Sequence, residues 1–318
     1  MSNFIQLIKN EQMKMYSQIA TWVMLIILAV FVIGFGAIMK VDGGMSDNSQ
    51  PAGSDWREEL QADNERMENE MAEESGFTSM NEEQMTMNEY RLDNDIAPGG
   101  YDAWNFVQEN RSNIPIISLL TIIVAASIIA NEYRWGTIKL LLIRPISRTK
   151  ILAAKFVSVL IYSATMLLLL YVLSFITGAA LFGFASLDQP YLFMQNGEVH
   201  QAPIFQHTVS QYLLSSVNLL MMTTFAFMIS TVFKNSALAI GVAIFLMMSG
   251  NMIVGFFSDK EWAKFILFAN TDLNQFFTGT PLIPDLTLGF SITVLIVYLI
   301  LFLGLSWVFF TKRDVTNA

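Results

Sequence analysis

Charged and apolar side chains are interleaved most densely at residues 132–155. This segment holds six of the 18 lysines and arginines, together with the short apolar run 138–143, which Lys139 interrupts. A run this short cannot cross a bilayer, which needs about 20 apolar residues, so it needs a surface to lie on. The basic side chains suit acidic protein or lipid head groups. The pattern predicts docking onto a partner protein or the membrane; the alternative is a basic loop that only sets topology.

Three residues divide this segment. Gly136 permits a turn or a close backbone approach, Pro145 fixes the chain direction after the apolar run, and Ser147 is placed to cap the following helix. We therefore expect a short amphipathic element between two longer helices.

Residue sets for catalysis or metal binding are absent from the sequence. There is no cysteine, which excludes disulfides, thiolate nucleophiles and cysteine metal sites. There is no glycine-rich phosphate loop, so any ATP hydrolysis requires another chain. His200 and His207 lie near Glu198, but nothing fixes further metal ligands. We expect no catalytic, cofactor-binding or metal-binding residue, and no enzyme activity in this chain.

Six long stretches carry no charged residue: 15–39, 112–131, 156–187, 208–233, 235–258 and 286–311. A charge at the centre of a membrane helix costs about 2.5–3.5 kcal/mol, so these stretches predict an all-α polytopic membrane protein with six transmembrane helices. Before the first span, Phe4, Ile8, Met15 and Ile19 recur at helical spacing. They predict an N-terminal helix that lies in the membrane interface, the alternative being a cytosolic extension of the first span.

The distribution of charge orients the spans. With the N-terminus in the cytoplasm, the inner segments hold 11 cations and three acids, and the outer segments hold seven cations and 24 acids. Short inner loops rich in lysine and arginine obey the positive-inside rule. We therefore expect both termini to be cytoplasmic and the protein to lie in a bacterial plasma membrane.

Three parts follow from this arrangement. Residues 1–39 are the interfacial helix and first span, residues 40–111 are an acidic extracellular insertion, and residues 112–318 are spans two to six with the cytoplasmic loop. The insertion holds 18 acids and five cations, and is expected to be helical or partly disordered. Within it, a stripe predicts one amphipathic helix: Trp56, Leu60, Met67 and Met71.

Polar residues at membrane depth are neutral, and we expect them to hydrogen-bond between helices. They are Ser158, Ser163, Thr165, Asn218, Thr223, Thr224, Ser249 and Asn251. Four of them are candidates for a translocation path: Asn218, Thr223, Thr224 and Asn251.

Segment 132–155 resembles the permease subunits of type-2 ABC transporters, which work with separate ATPase subunits. It has an acid at Glu132, then Gly136-Thr137, an apolar run, the motif Pro145-Ile146-Ser147-Arg148 and a lysine opening the next span. The resemblance is close over this segment and extends to the rest of the chain in topology.

The resemblance implies the membrane-spanning subunit of an ATP-driven exporter, in which this loop couples to the ATPase. The residues implied in coupling are Glu132, Arg134, Gly136, Thr137, Lys139, Arg144, Pro145, Ser147 and Arg148. The implied partners are two copies of an ABC ATP-binding subunit, which would hold ATP and Mg²⁺, and a second copy of this permease or a homologous one. The lipid bilayer is a further partner, and nucleic acid is not expected.

The uncharged spans favour an amphipathic or lipid-like substrate. Together with them, the resemblance implies an amphipathic peptide or a hydrophobic compound as substrate, in antimicrobial resistance or self-protection. Export of sodium, lipid or polysaccharide is an alternative, as is a non-transporting membrane sensor or scaffold. Ion-coupled transporters normally carry carboxylates or histidines within the membrane, and these spans have none.

Overall fold

The computed structural model describes residues 2–41, 55–73, 78–138, 146–184, 190–195, 197–278, 281–283 and 286–312. Within these residues, six helical segments are long and apolar enough to cross a membrane: Ile19–Val41, Ala103–Arg134, Arg148–Phe182, Ile204–Phe233, Ser236–Phe256 and Leu288–Lys312. The prediction of an all-α polytopic membrane protein with six spans is confirmed.

The elements are labelled in chain order. The helices are α1 (Ser2–Tyr16), α2 (Ile19–Val41), α3 (Trp56–Glu73), α4 (Thr78–Asp93), α5 (Ala103–Asn110), α6 (Ile114–Arg134), α7 (Arg148–Phe182), α8 (Ile204–Phe233), α9 (Ser236–Phe256), α10 (Leu267–Thr271), α11 (Gln275–Thr278) and α12 (Leu288–Lys312). Strands β1 (Tyr191–Gln195) and β2 (Glu198–Ala202) pair antiparallel, with Tyr191 opposite Ala202.

Successive spans run in opposite directions. At one end of the bundle, Lys40 Nζ donates to the Leu181 carbonyl at 2.7 Å, which joins the end of α2 to the end of α7. At the other end, the Arg148 guanidinium donates to the Thr311 carbonyl at 3.0 Å, which joins the start of α7 to the end of α12. We call the first the insertion end, because α3, α4 and the hairpin lie there, and the second the basic end.

Helix α6 lies at the centre of the bundle and packs on α7, α8 and α9. Ala125 and Ala126 are fully buried, and Ser230 Oγ of α8 donates to the Ala126 carbonyl at 2.5 Å. Small residues allow membrane helices to approach closely enough for such backbone contacts. This close contact makes α6 and α8 the central pair of the fold.

Several of the polar residues predicted to bond between helices bond within their own helix instead. The hydroxyls of Ser163, Thr165, Thr224 and Ser249 each donate to a carbonyl three or four residues earlier. That prediction is therefore wrong for these four. A serine or threonine can satisfy its hydroxyl on the preceding turn without a neighbouring helix.

The second span begins earlier than the uncharged stretch. Helix α5 starts with Asp102 as its N-cap, which accepts from the Trp104 backbone N–H at 2.9 Å, and continues through a 3-10 turn into α6. Trp104 and Phe106 are buried in the bundle and do not lie at its surface as an interfacial aromatic belt would. The structure therefore joins residues 103–110 to the bundle rather than to the insertion.

The insertion contains two packed helices. Trp56, Leu60 and Met67 are buried where α3 meets α4, which confirms the predicted stripe. The hairpin contacts α4, and Gln201 Nε2 donates to the Tyr90 hydroxyl at 3.1 Å. The described insertion is thus helical and rests on a hairpin that the sequence analysis missed.

Between the last two spans, a short helix packs into the bundle rather than extending away from it. Asn270 of α10 is fully buried, and its Oδ1 accepts from Ser291 Oγ of α12 at 2.8 Å. Gly250 of α9 leaves room for the Phe268 ring, which lies 2.3 Å from where a Cβ would be. This short helix, α10, therefore fills a gap between the last two spans.

Candidate functional site

Four charged side chains meet at the basic end, and we call them the charge cluster: Glu11, Lys14, Glu132 and Lys155. Lys155 is 1% exposed, and its Nζ donates to Glu11 Oε2 at 2.9 Å and to Glu132 Oε1 at 3.1 Å. Lys14 Nζ donates to the same Glu132 Oε1 at 3.0 Å. The cluster joins three elements: α1, the end of α6 and the first turns of α7.

Helix α1 brings Glu11 into the bundle. It ends at Tyr16, and a turn at Ser17 and Gln18 separates it from α2, so it is a helix of its own and not an extension of the first span. Its buried face is Leu7, Glu11 and Met15. Of the predicted apolar face, Met15 is buried and Phe4 and Ile8 are half-buried, whereas Ile19 lies on α2 and is exposed. The prediction missed the carboxylate of Glu11, which lies at the centre of the face that packs on α7.

A turn after α6 holds the second carboxylate. Gly136 has φ +69°, a left-handed conformation that glycine adopts without strain, and its N–H donates to the Tyr133 carbonyl at 3.2 Å. The predicted turn at Gly136 is confirmed. It directs Thr137 back so that its Oγ1 donates to the Glu132 carboxylate. Glu132 therefore accepts from two ammonium groups and one hydroxyl.

The cluster is electrically balanced, with two carboxylates and two ammonium groups. Removing ions from water costs several kcal/mol each, and mutual attraction repays this only when the hydrogen bonds are well formed. Lys155 also donates to the Ile128 carbonyl at 3.4 Å, so its ammonium group has three acceptors. Such clusters are best known for fixing the register of neighbouring elements. Here the cluster fixes α1 against α6 and α7.

The remaining coupling candidates lie around the cluster. Ser147 caps α7 by accepting from the Lys150 N–H, as predicted, and Arg148 bonds the end of α12. Arg134 is exposed at the end of α6. Lys139, Arg144 and Pro145 lie outside the described residues.

The short turn between α8 and α9 also contacts this region. Lys234 has φ +55°, and its Nζ lies 4.4 Å from the centre of the Tyr133 ring, a cation–π distance. Asn235 caps α9 by accepting from the Leu238 N–H at 3.1 Å. The turn is therefore attached to the same end of α6 as the charge cluster.

A cavity of about 580 Å³ opens beside the charge cluster, between the α1–α2 turn and α6. Its lining includes Lys14, Thr21, Ser127, Asn131, Glu132 and Trp135. The cluster is thus packed on one side and bordered by open volume on the other.

The candidate path residues separate into two pairs. Asn218 and Asn251 line one cavity of about 950 Å³ at the insertion end, between α2, α6, α8 and α9. We call it the insertion-end cavity. Thr223 and Thr224 are fully buried elsewhere in α8, and Thr224 Oγ1 donates to the Leu220 carbonyl at 2.7 Å. The structure therefore brings together two of the four.

Three further residues of the insertion end are relevant to this cavity. Tyr101 is buried, and burial and a hydrogen bond to Glu109 raise its pKa well above the usual range. The phenol therefore stays protonated and donates to Glu109 Oε2 at 2.7 Å. Arg111 donates to Gln211 Oε1 of α8.

The histidines considered for a metal site, His200 and His207, both lie against the Phe193 ring.

Sequence reasoning missed Glu11, Lys14 and Lys155 as site residues. Glu11 and Lys14 were counted only in the charge balance that orients the spans, and Lys155 only as a basic residue of segment 132–155 and the lysine that opens the third span. The available signal was Glu11 at helical spacing from Leu7 and Met15, an acid within an otherwise apolar stripe. Such an acid requires a basic partner when the stripe is buried.

Comparison with known proteins identifies relatives along almost the whole chain. The family described as "Protein of unknown function (DUF2705)" matches residues 74–316. The uncharacterized protein YhcI of Bacillus subtilis (strain 168) is 40% identical over 317 residues, which cover 98% of this chain and 100% of that protein. The uncharacterized membrane protein YdbK of the same organism is 32% identical over 203 residues, which cover 63% of this chain and 78% of that protein.

These matches correct the family assignment. The resemblance of segment 132–155 to type-2 ABC transporter permeases is wrong as a statement of family, because the matching family is DUF2705 and neither relative is described as an ABC transporter. A basic loop with a short apolar run and a helix-starting Pro-x-Ser arises for topological reasons in membrane proteins of different families. One such segment is too short to identify a family.

Proposed function

This chain belongs to the DUF2705 family, and from the geometry of its charge cluster we propose that it is the membrane-spanning subunit of an exporter driven by a separate ATP-hydrolysing protein. The partner docks at the basic end, against the segment between α6 and α7. The substrate is an amphipathic peptide or a hydrophobic compound.

The observation that carries the proposal is the position of Lys155 between Glu11 and Glu132. Because α1, α6 and α7 share one buried set of ion pairs, a force applied to the segment between α6 and α7 reaches all three together. The neighbouring cavity of about 580 Å³ gives α1 space to move. Packed elements with two discrete arrangements are what a driven conformational change requires.

The positive charge of the basic end supports docking of the ATP-hydrolysing partner there. The exposed basic residues Arg134 and Lys150 border the docking segment and suit an acidic protein surface. We infer that the basic end is cytoplasmic, that the membrane is the bacterial plasma membrane, and that two copies of this chain act with two ATPase subunits. The sequence carries no phosphate-binding loop of its own.

Two exposed asparagines test the orientation. We expect Asn94→Cys, at the insertion end, to react with a membrane-impermeant thiol reagent in intact cells, because it lies outside. Asn10→Cys, on α1, should react only after permeabilisation. Both changes are neutral in charge, and the chain has no native cysteine to interfere. Labelling of Asn10→Cys in intact cells would refute the orientation.

Substitutions at Gly136 test the coupling role. Within the described part of the chain, a Cβ there meets no atom within 4 Å, so the comparison tests the backbone conformation. Valine is strained at positive φ, by about 1–3 kcal/mol, whereas asparagine tolerates it. We expect Gly136→Val to displace Thr137 from Glu132 and to remove the response of the partner's ATP hydrolysis to substrate, while Gly136→Asn keeps it.

The Gly136 comparison is made on complexes isolated from membranes at matched abundance of the chain. A lipophilic cation, tetraphenylphosphonium, is added as the test substrate and hydrolysis of Mg-ATP is measured. Equal responses of the valine, asparagine and wild-type proteins would mean that the turn has no part in coupling.

A non-transporting sensor is the second candidate, and the insertion favours it. Tyr90 of α4 is bonded to the hairpin that precedes α8, so a ligand on the insertion could act on a span directly. A sensor needs no ATPase at the basic end. This function would be favoured if the isolated complex hydrolysed no ATP and a ligand changed the packing of the spans.

A further inference from the structure

The insertion-end cavity has an apolar wall and a polar wall. Phe35 and Met39 of α2 and Met247 and Met248 of α9 supply the apolar wall. The volume of about 950 Å³ is in the range of sites that hold small organic molecules. Methionine side chains adapt to ligands of varied shape.

The polar wall is rich in hydrogen-bond acceptors. Glu109 accepts from Tyr101 with Oε2, and Asp272 is an exposed carboxylate whose Oδ1 accepts from the Asn274 backbone N–H at 3.0 Å. Asn218 Oδ1 is buried and has no hydrogen-bond partner among the described residues. Arg111 is the cation on this wall, and its guanidinium is bonded to Gln211.

A smaller cavity continues from this one toward the insertion. It has a volume of about 400 Å³ and shares Gln108, Glu109 and Arg111 with the insertion-end cavity. Its other lining residues come from α4, β1, α8 and α11, among them Glu83, Tyr191 and His207. Glu109 therefore borders both cavities, from the last turn of α5 just before the 3-10 turn that leads into α6.

We propose that the insertion-end cavity binds an organic cation with an apolar body. Glu109 and Asp272 attract the positive charge, Asn218 accepts a hydrogen bond where the cation has a donor, and the side chains of α2 and α9 cover the apolar part. The smaller cavity connects the site to the space under the insertion. This proposal adds a ligand class to the proposed function. It rests on the proposed function only for the claim that the bound cation is transported.

The test uses two lipophilic ions of the same shape and opposite charge, tetraphenylphosphonium and tetraphenylborate. Binding is measured by equilibrium dialysis on the purified full chain in phosphatidylcholine nanodiscs, with uptake by empty nanodiscs subtracted. We expect saturable binding of the cation. The double variant Glu109→Gln and Asp272→Asn should raise its Kd about tenfold or more, because it removes both charges. The amides keep the hydrogen bonds that Tyr101 and Asn274 donate.

A matched control separates the site from general surface charge. Glu59→Gln with Glu65→Gln removes two exposed carboxylates from α3 and should leave the Kd unchanged. If the double site variant is unstable, Asp272→Asn alone, at an exposed position, should raise the Kd several-fold. Equal Kd values for wild type and site variants, or tighter binding of tetraphenylborate, would overturn the proposal. Binding is measured without the ATPase, so this result does not decide the proposed coupling.

Discussion

Replacing Lys155 with methionine should destabilise the protein by about 3–5 kcal/mol, the loss typical when one partner of a buried ion pair is removed. Lys155→Met leaves the two carboxylates of Glu11 and Glu132 with the half-exposed Lys14 as their one basic partner among the residues that the structure describes. Methionine fills a similar volume, so the loss comes from unpaired charge rather than from a cavity. Thermal unfolding of the detergent-solubilised protein, followed by size-exclusion chromatography, measures the change.

Two further variants separate this cause from others. Lys150→Met lies one and a half turns earlier on α7 and is exposed, so it should unfold at the wild-type temperature. The triple variant Glu11→Gln, Glu132→Gln, Lys155→Met removes the opposing charges as well and should recover most of the lost stability. If Lys155→Met unfolds like Lys150→Met, the ion pairs do not stabilise the fold.

The same triple variant should lose coupling although it folds. Its three elements are no longer held in register by ion pairs, so motion of the docking segment is not passed to α1, α6 and α7 as a unit. Coupling between sites is commonly worth about 1–3 kcal/mol, so stimulation of ATP hydrolysis by tetraphenylphosphonium should fall about tenfold. The basal hydrolysis rate and the amount of bound ATPase should stay near wild type, because the docking segment is unchanged.

The control for this loss is Gly136→Asn, which leaves the cluster intact and should respond as wild type does. Wild-type stimulation in the triple variant would mean that the cluster contributes stability only. A triple variant that no longer retains the ATPase would assign the cluster to docking rather than to transmission.

Features that depend on long uncharged stretches, on helix periodicity or on local turn and cap residues were predictable from the sequence. Uncharged stretches of sufficient length determine spans such as α2 and α9, because the bilayer penalises charge at every position of the stretch. The stripe of Trp56, Leu60 and Met67 was predictable because helix periodicity alone brings these residues together. Local signals also predicted the turn at Gly136 and the cap at Ser147.

Features that depend on partners distant in sequence were not predictable in this way. Lys155 meets Glu11 across 144 positions, and no local pattern indicates which buried acid faces which base. Helix α5 was assigned to the insertion because Glu109 and Arg111 are charged, yet Tyr101 and Gln211 satisfy both. The hairpin was not predicted, although Asn196-Gly197 is a local sequence signal for one.

The central claim is that a separate ATPase works on this chain through its basic end, and ATP hydrolysis by the isolated assembly tests it most directly. The full chain is isolated from its native membrane in lipid nanodiscs, and Mg-ATP hydrolysis is compared with that of Arg134→Glu with Lys150→Glu. These two residues are exposed, so their reversal leaves the charge cluster intact. We predict that hydrolysis accompanies the wild-type chain and is lost with the reversed charges at equal membrane abundance. Hydrolysis no greater than that from membranes lacking the chain, or equal in both proteins, would contradict the account.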